Sequence, residues 1–152
     1  MLSKPTSTEG IAHLVVGLGP WRCALRASDV QEVMRELPVW SIGELPRGVR
    51  GFARVRGGTV PVIDLARILG VNALANYWVT TKERPVACAV ETVLGVQEFP
   101  RGFERPALLG DCAPALTSIA EHDGRLYGFL ASARLLDEVT YRRLLTAAEE
   151  SA

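Results

Sequence analysis

The sequence predicts a mostly β fold built from two copies of one small barrel module. Three observations point there. Short β-branched runs recur between glycine turns. The stretch Gly51 to Leu65 reads as a hairpin running into a short helix. Shifting that stretch by 67 positions lays it on the last hairpin of the chain.

The central hairpin places Ala53 and Val55 in alternation with Arg54 and Arg56, an apolar face against a charged one. Gly57-Gly58 is the expected turn, since glycine takes positive φ without steric cost. Thr59 to Ile63 follows as a strand, and Pro61, which has no N–H to give, predicts an edge or a bulge. Asp64 is the expected N-cap of a helix through Leu69, with Gly70 as its stop.

Residues 1–10 are polar and expected to fray. Ile11 to Leu18 and Trp21 to Arg26 read as strands around Gly19-Pro20. Ser28 to Arg35 supports either a helical turn capped by Ser28 or a strand near Val33. Leu45 to Gly48 is a turn, residues 70–76 form a hinge, and Trp78 to Lys82 is a strand. Val86 to Gln97 is a long apolar strand with a kink at Gly95, and 100–114 is a proline-rich surface loop. Ala115 to Glu121 and Arg125 to Leu130 flank a turn at Asp123-Gly124. Ser132 is expected to cap a short helix, and Tyr141 to Glu150 to form a terminal one.

Under the 67-residue shift, Gly57 falls on Gly124, Val62 on Phe129, and Ala66 to Leu69 on Ala133 to Leu136. Arg22-Cys23-Ala24-Leu25 similarly resembles Ala87-Cys88-Ala89-Val90, and each is followed by Val-x-x-Val. Two modules closed into barrels and packed together would protect edges that a lone sheet exposes. The expected division is subdomain one at roughly 11–75, subdomain two at roughly 76–139 and a terminal helix at roughly 140–150.

Composition narrows function. At 152 residues with 17 basic and 17 acidic side chains, nothing draws the whole chain to nucleic acid. No apolar run reaches the roughly 18 residues of a membrane helix, so no direct membrane insertion is expected. Three unpaired-looking cysteines (Cys23, Cys88 and Cys112) and the absence of a signal peptide point to reduced thiols in the cytoplasm. No catalytic set, metal site or cofactor is expected: His13 and His122 lack ligand spacing, and Arg56-Gly57-Gly58-Thr59 is no phosphate loop. Arg54 and Arg56 are instead suited to gripping a partner's carboxylates.

From Val15 to Val139 the chain resembles the CheW-like family, the coupling proteins of bacterial chemosensory arrays. Val49 to Leu65 matches the family's G-hydrophobic-x-N-L-R-G-x-hydrophobic-hydrophobic-P-hydrophobic-hydrophobic-D-L pattern. Val30-Gln31-Glu32-Val33, Leu45-Pro46 and Val90-Glu91-Thr92-Val93 match its flanking elements in order. The resemblance implies two SH3-like five-stranded β-barrel subdomains and a non-enzymatic adaptor. It implies two partners: the regulatory domain of a CheA-type histidine kinase, and the cytoplasmic tip of chemoreceptors. Val30, Glu32, Arg56, Thr59 and Val93 match positions near the receptor groove. Arg54 stands where the family has Asn, and Glu91 where it usually has Asp, which marks both as specificity candidates. A second reading is a paralogue that binds one partner and acts as a competitive regulator in a motility or developmental pathway. A small β-barrel enzyme is a third class, for which no convergent polar cluster is visible.

Overall fold

The computed structural model describes residues 10–101, 105–106 and 115–151. Among these residues eleven strands and two α-helices follow in order. The strands are β1 (Gly10–Leu18), β2 (Trp21–Arg26), β3 (Val30–Arg35), β4 (Val49–Val55), β5 (Gly58–Asp64), β6 (Tyr77–Thr81), β7 (Ala87–Val90), β8 (Thr92–Pro100), β9 (Arg105–Pro106), β10 (Leu116–His122) and β11 (Arg125–Leu130). The helices are α1 (Leu65–Leu69) and α2 (Glu138–Ser151). One sheet has the order β8-β1-β2-β11-β10-β9, with the two-residue β9 at its edge, and the other β3-β6-β7-β5-β4.

The repeat is present, but the two copies exchange strands. β1 and β2 join the late strands β8, β10 and β11, while β6 and β7 join the early strands β3, β4 and β5. The seams of this exchange are four pairings: β2 with β11 and β5 with β7 run parallel, and β1 with β8 and β3 with β6 antiparallel. A division at 75/76 therefore falls within the second sheet, between β5 and β6.

Each sheet coils around its own cluster. In a flat first sheet, β8 and β10 would stand about 19 Å apart, at the usual strand spacing. Yet the rings of Phe99 on β8 and His122 on β10 lie 5.3 Å apart, and Phe99 meets Tyr127 and Phe129 of β11 at 5.0 Å. The edge strands must curl towards each other to allow this. Val15, Ala24 and Ala120 complete that cluster. In the second sheet Ala53, Val60, Val62, Trp78, Ala87 and Ala89, with Met34 beside them, draw on all five strands.

A third cluster lies between the sheets. Alternation along each central strand sends one residue inward and the next to this shared core. Val15 faces the first sheet's interior while Leu14, Val16 and Leu18 face the seam. Ala87 and Ala89 face the second interior while Cys88 and Val90 face the seam. Being buried on both faces explains why Ala87–Val90 reads as unbroken apolar sequence. Val86 to Gln97 is accordingly two strands, and β8 carries a register shift opposite Val15/Val16, with Gly95 at φ 121°.

Several local expectations change. The β4–β5 turn is Arg56-Gly57, at φ 52° and 80°, and Gly58 already belongs to β5. The equivalent turn Asp123-Gly124 has φ 53° and 76°, so both hairpins use the same positive-φ pair. Arg56 thus leaves the strand face on which alternation placed it. Pro61 is not on an edge strand: the β5–β7 pairing starts at Val62, one residue later, so no ladder partner asks for its N–H there. Ser28 lies inside a 3-10 turn, Ala27–Asp29, that has no side-chain cap, and β3 follows it, so the strand reading of that segment holds and the turn capped by Ser28 does not. Ser132 begins a 3-10 turn but makes no side-chain cap. Asp64 does cap α1, accepting from the Arg67 N–H at 3.2 Å, and Gly70 closes it at φ 73°.

The terminal helix starts three residues before Tyr141, because Asp137 accepts from both the amide and the hydroxyl of Thr140 at 2.8 Å. Leu144 and Ala148 of α2 then cover Val49 and Phe52 of β4. Residues 1–9 and most of the 100–114 loop, Cys112 included, lie outside the described residues.

Phe99 is the hub of the first interior and Val62 is fully buried in the second. Phe99→Ala should cost about 3–5 kcal/mol in denaturant unfolding. Val62→Asp should abolish the folded circular dichroism spectrum, because it buries an unpaired charge. A folded, soluble Val62→Asp protein would contradict this facing.

Candidate functional site

Among the described residues β3 is an open edge of the second sheet, paired only with β6. Along it Val30, Glu32 and Met34 are half-buried, while Gln31, Val33 and Arg35 point to solvent. Thr80 of β6 fixes the strand at Glu32. Its hydroxyl accepts from the Glu32 N–H at 3.2 Å and reaches the Glu32 carbonyl at 3.3 Å. The ladder shifts register between Val30 and Glu32, so this side-chain bond stands where regular pairing is interrupted.

Glu32 is then met by Arg56 from the far side of the sheet. The guanidinium Nε and Nη2 lie 2.9 and 2.6 Å from the two carboxylate oxygens, a bidentate fork. β3 and the β4–β5 hairpin stand at opposite ends of the strand order. The pair therefore joins the two ends of a coiled sheet. In the first sheet the Phe99–His122 ring contact spans the corresponding gap. The hydrogen bond from Arg56, followed by its positive charge, holds the Glu32 carboxyl below the usual carboxylate range, and the same contact raises Arg56. The Arg56 side chain remains 77% exposed against 23% for Glu32, so the cation faces outward with room for a further acceptor.

The other candidate residues fall into three places. Val30 and Val93 both pack on the core between the sheets, each from the open edge strand of its own sheet. They are equivalents in the repeat, the first valines of the two Val-x-x-Val runs. The second valines, Val33 and Val96, stay exposed on those edges. Thr59 and Arg54 face each other across the β4–β5 ladder, with Arg54 in solvent near the Gly57 carbonyl at 3.5 Å.

Glu91 is different. Its carboxylate accepts the Gly19 N–H at 2.7 Å, and its own N–H donates to the Gly17 carbonyl at 3.2 Å. Sequence reasoning passed over Thr80 and Asn76, which support Glu32 and Glu91. The signal for Thr80 was a pair of threonines inside an apolar strand, both buried here.

Among the described residues no group of three His, Cys, Asp or Glu side chains could hold a metal ion. Burial pushes the thiols of Cys23 and Cys88 up to about 12, which leaves them unreactive core residues. His13 is buried, its Nδ1 2.9 Å from the Ile11 carbonyl and its ring edge-on to Phe99 and Phe129. No helix among the described residues is long and apolar enough to cross a membrane.

A family model for the CheW-like domain matches residues 12–140. The chain belongs to the CheW-like family. The CheW-like fold is also that of a solved relative, the scaffolding protein TtCheW from Thermoanaerobacter tengcongensis. The two share 20% identity, and the match has a TM-score of 0.74 over 84% of this chain and 93% of that one. No curated protein sequence matches the chain. The two SH3-like sheets and the terminal helix agree with this family fold, and the Glu32–Arg56 pair lies within the matched region.

The depressed Glu32 carboxyl gives a testable sign. Its contribution to stability is present above the ordinary unfolded value, about 4.3, and is lost as pH falls through the lower folded value. Arg56→Ala should keep the folded circular dichroism spectrum. In an NMR titration it should move the Glu32 carboxyl up towards the ordinary value, whereas an unchanged titration would show that the fork does not form in solution.

Proposed function

We propose that this CheW-like chain is a non-enzymatic adaptor that couples the cytoplasmic tip of chemoreceptors to the regulatory domain of a CheA-type histidine kinase. The observation that carries this reading is the arrangement around the seam. Two half-buried valines, Val30 and Val93, rest on one apolar core from the open edges of two sheets. Beside Val30 stands an ion pair whose arginine faces solvent. A helix of a receptor tip can lay apolar residues on Val30 and Val93, while Arg56, Glu32 and Thr59 set its register by charge and hydrogen bonding. Arg54, exposed and without a carboxylate partner among the described residues, adds a cation at the hairpin where it can discriminate between partners.

Family membership supports an adaptor over an enzyme, and the buried thiols supply no catalytic nucleophile among the described residues. A cytoplasmic place follows from the partners proposed. The second reading, a competitive regulator that binds one partner, is favoured by one feature: Arg54 puts a positive charge on the hairpin where the family pattern has a neutral side chain.

The test is a reconstituted kinase assay with receptor fragment and this chain. The adaptor reading expects receptor-coupled phosphorylation to rise when the chain is added, and expects Arg56→Ala to weaken receptor binding about tenfold, in line with an interface arginine. Phosphorylation that falls in the presence of another adaptor supports the competitive regulator. Co-elution with neither kinase nor receptor contradicts both.

A further inference from the structure

Among the described residues the backbone passes from one sheet to the other at two places. The first is the 3-10 turn Ala27–Asp29 between β2 and β3, tied by the Lys82 N–H to the Asp29 carbonyl at 3.0 Å. The second is a single residue, Glu91, between the end of β7 at Val90 and the start of β8 at Thr92. One residue gives a crossover little slack, so whatever holds Glu91 constrains how the sheets meet at that end of the seam.

Glu91 is held from both sheets. On the first sheet's side its carboxylate Oε1 accepts the Gly19 N–H at 2.7 Å, a charge-assisted bond to the β1–β2 turn. Gly19 sits at φ 60°, the left-handed conformation that glycine takes readily, and Leu18 just before it is fully buried. The Glu91 N–H also reaches the Gly17 carbonyl at 3.2 Å. On the second sheet's side Asn76, the residue before β6, brackets the crossover. Its N–H donates to the Val90 carbonyl at 2.9 Å and its side-chain amide to the Glu91 carbonyl at 3.3 Å. Val93, two residues on, packs against the shared core.

We propose that Glu91 is a positioning residue: its carboxylate clasps the β1–β2 turn to the crossover, sets the angle between the sheets at the Val93 end of the seam, and so tunes the fit of a receptor helix without touching it. The partner half of this statement rests on the adaptor reading. The geometry makes the role depend on side-chain length. Aspartate is one carbon–carbon bond shorter and would leave the Gly19 N–H without its acceptor. Glutamine keeps the reach and an acceptor oxygen but loses the charge.

The test uses the full chain as wild type, Glu91→Gln, Glu91→Asp and Glu91→Ala. Amide hydrogen exchange at Gly19 is read by NMR, and affinities for a receptor cytoplasmic-tip fragment and for the kinase regulatory domain by calorimetry. Exchange at Gly19 should rise about tenfold or more in the Asp and Ala variants and less in Gln, as expected for losing a charge-assisted bond. Receptor affinity should fall about five- to tenfold in the same order, with kinase affinity within about twofold of wild type, a coupling of ordinary size. Unchanged Gly19 exchange overturns the clasp. Equal losses for both partners, or none for either, overturn the positioning role. A wild-type chain that binds no receptor fragment overturns the adaptor reading and the partner half together, and the Gly19 exchange then decides the clasp alone.

Discussion

The apolar core between the two sheets is the constraint that the rest of the molecule answers to. Leu14, Val16, Leu18, Cys23 and Leu25 from the first sheet meet Ile63, Val79, Cys88 and Val90 from the second. These residues belong to strands whose opposite faces already line a second cluster. Each central strand is therefore buried twice, and neither sheet can leave without exposing the backs of its own strands to water. Because the early and late strands are exchanged, the seam is also a chain constraint. Crossovers at Ala27–Asp29 and Glu91 stitch the sheets together at their edges.

That arrangement explains where the candidate site sits. Among the described residues coiling leaves each sheet with one open edge, β3 and β8, and the other edges are covered, β10 by β9 and β4 by a bridge from Trp40 to Phe52. The open edges carry repeat-related valines, one of each pair against the core and one in solvent. The Glu32–Arg56 fork closes the coil of the second sheet and also presents a cation at its rim. One ion pair thus belongs both to the fold and to the surface. Arg56 is accordingly a residue whose removal should be read with structural and binding measurements side by side.

Much of this was legible in the chain. The repeat showed in the two hairpins, since turn residues, β-branched strands and the capped helix after Asp64 are local features that a short window records. The exchange of strands was not legible. It rests on four pairings, β2 with β11 and β5 with β7 in parallel and β1 with β8 and β3 with β6 antiparallel, between segments that are distant or separated by other elements, and no local pattern encodes such a partner. Arg56 was misplaced for a related reason. Two adjacent glycines draw the eye to Gly57-Gly58, but the register of Val55 with Gly58 makes Arg56-Gly57 the turn. Among the site residues, Glu32 and Arg56 were found as separate motif positions, and their contact required the coil. Glu91 was singled out for its side-chain type, but its bond to Gly19 spans 72 positions and only the fold brings the two together.

Strand exchange makes the two sheets one cooperative unit. The most direct test is to cut the backbone within 71–76, the segment between α1 and β6 that carries no regular structure. The halves should then stay associated with a native spectrum, and each half purified alone should show no cooperative unfolding. Two halves that separate and each unfold cooperatively would contradict the exchange.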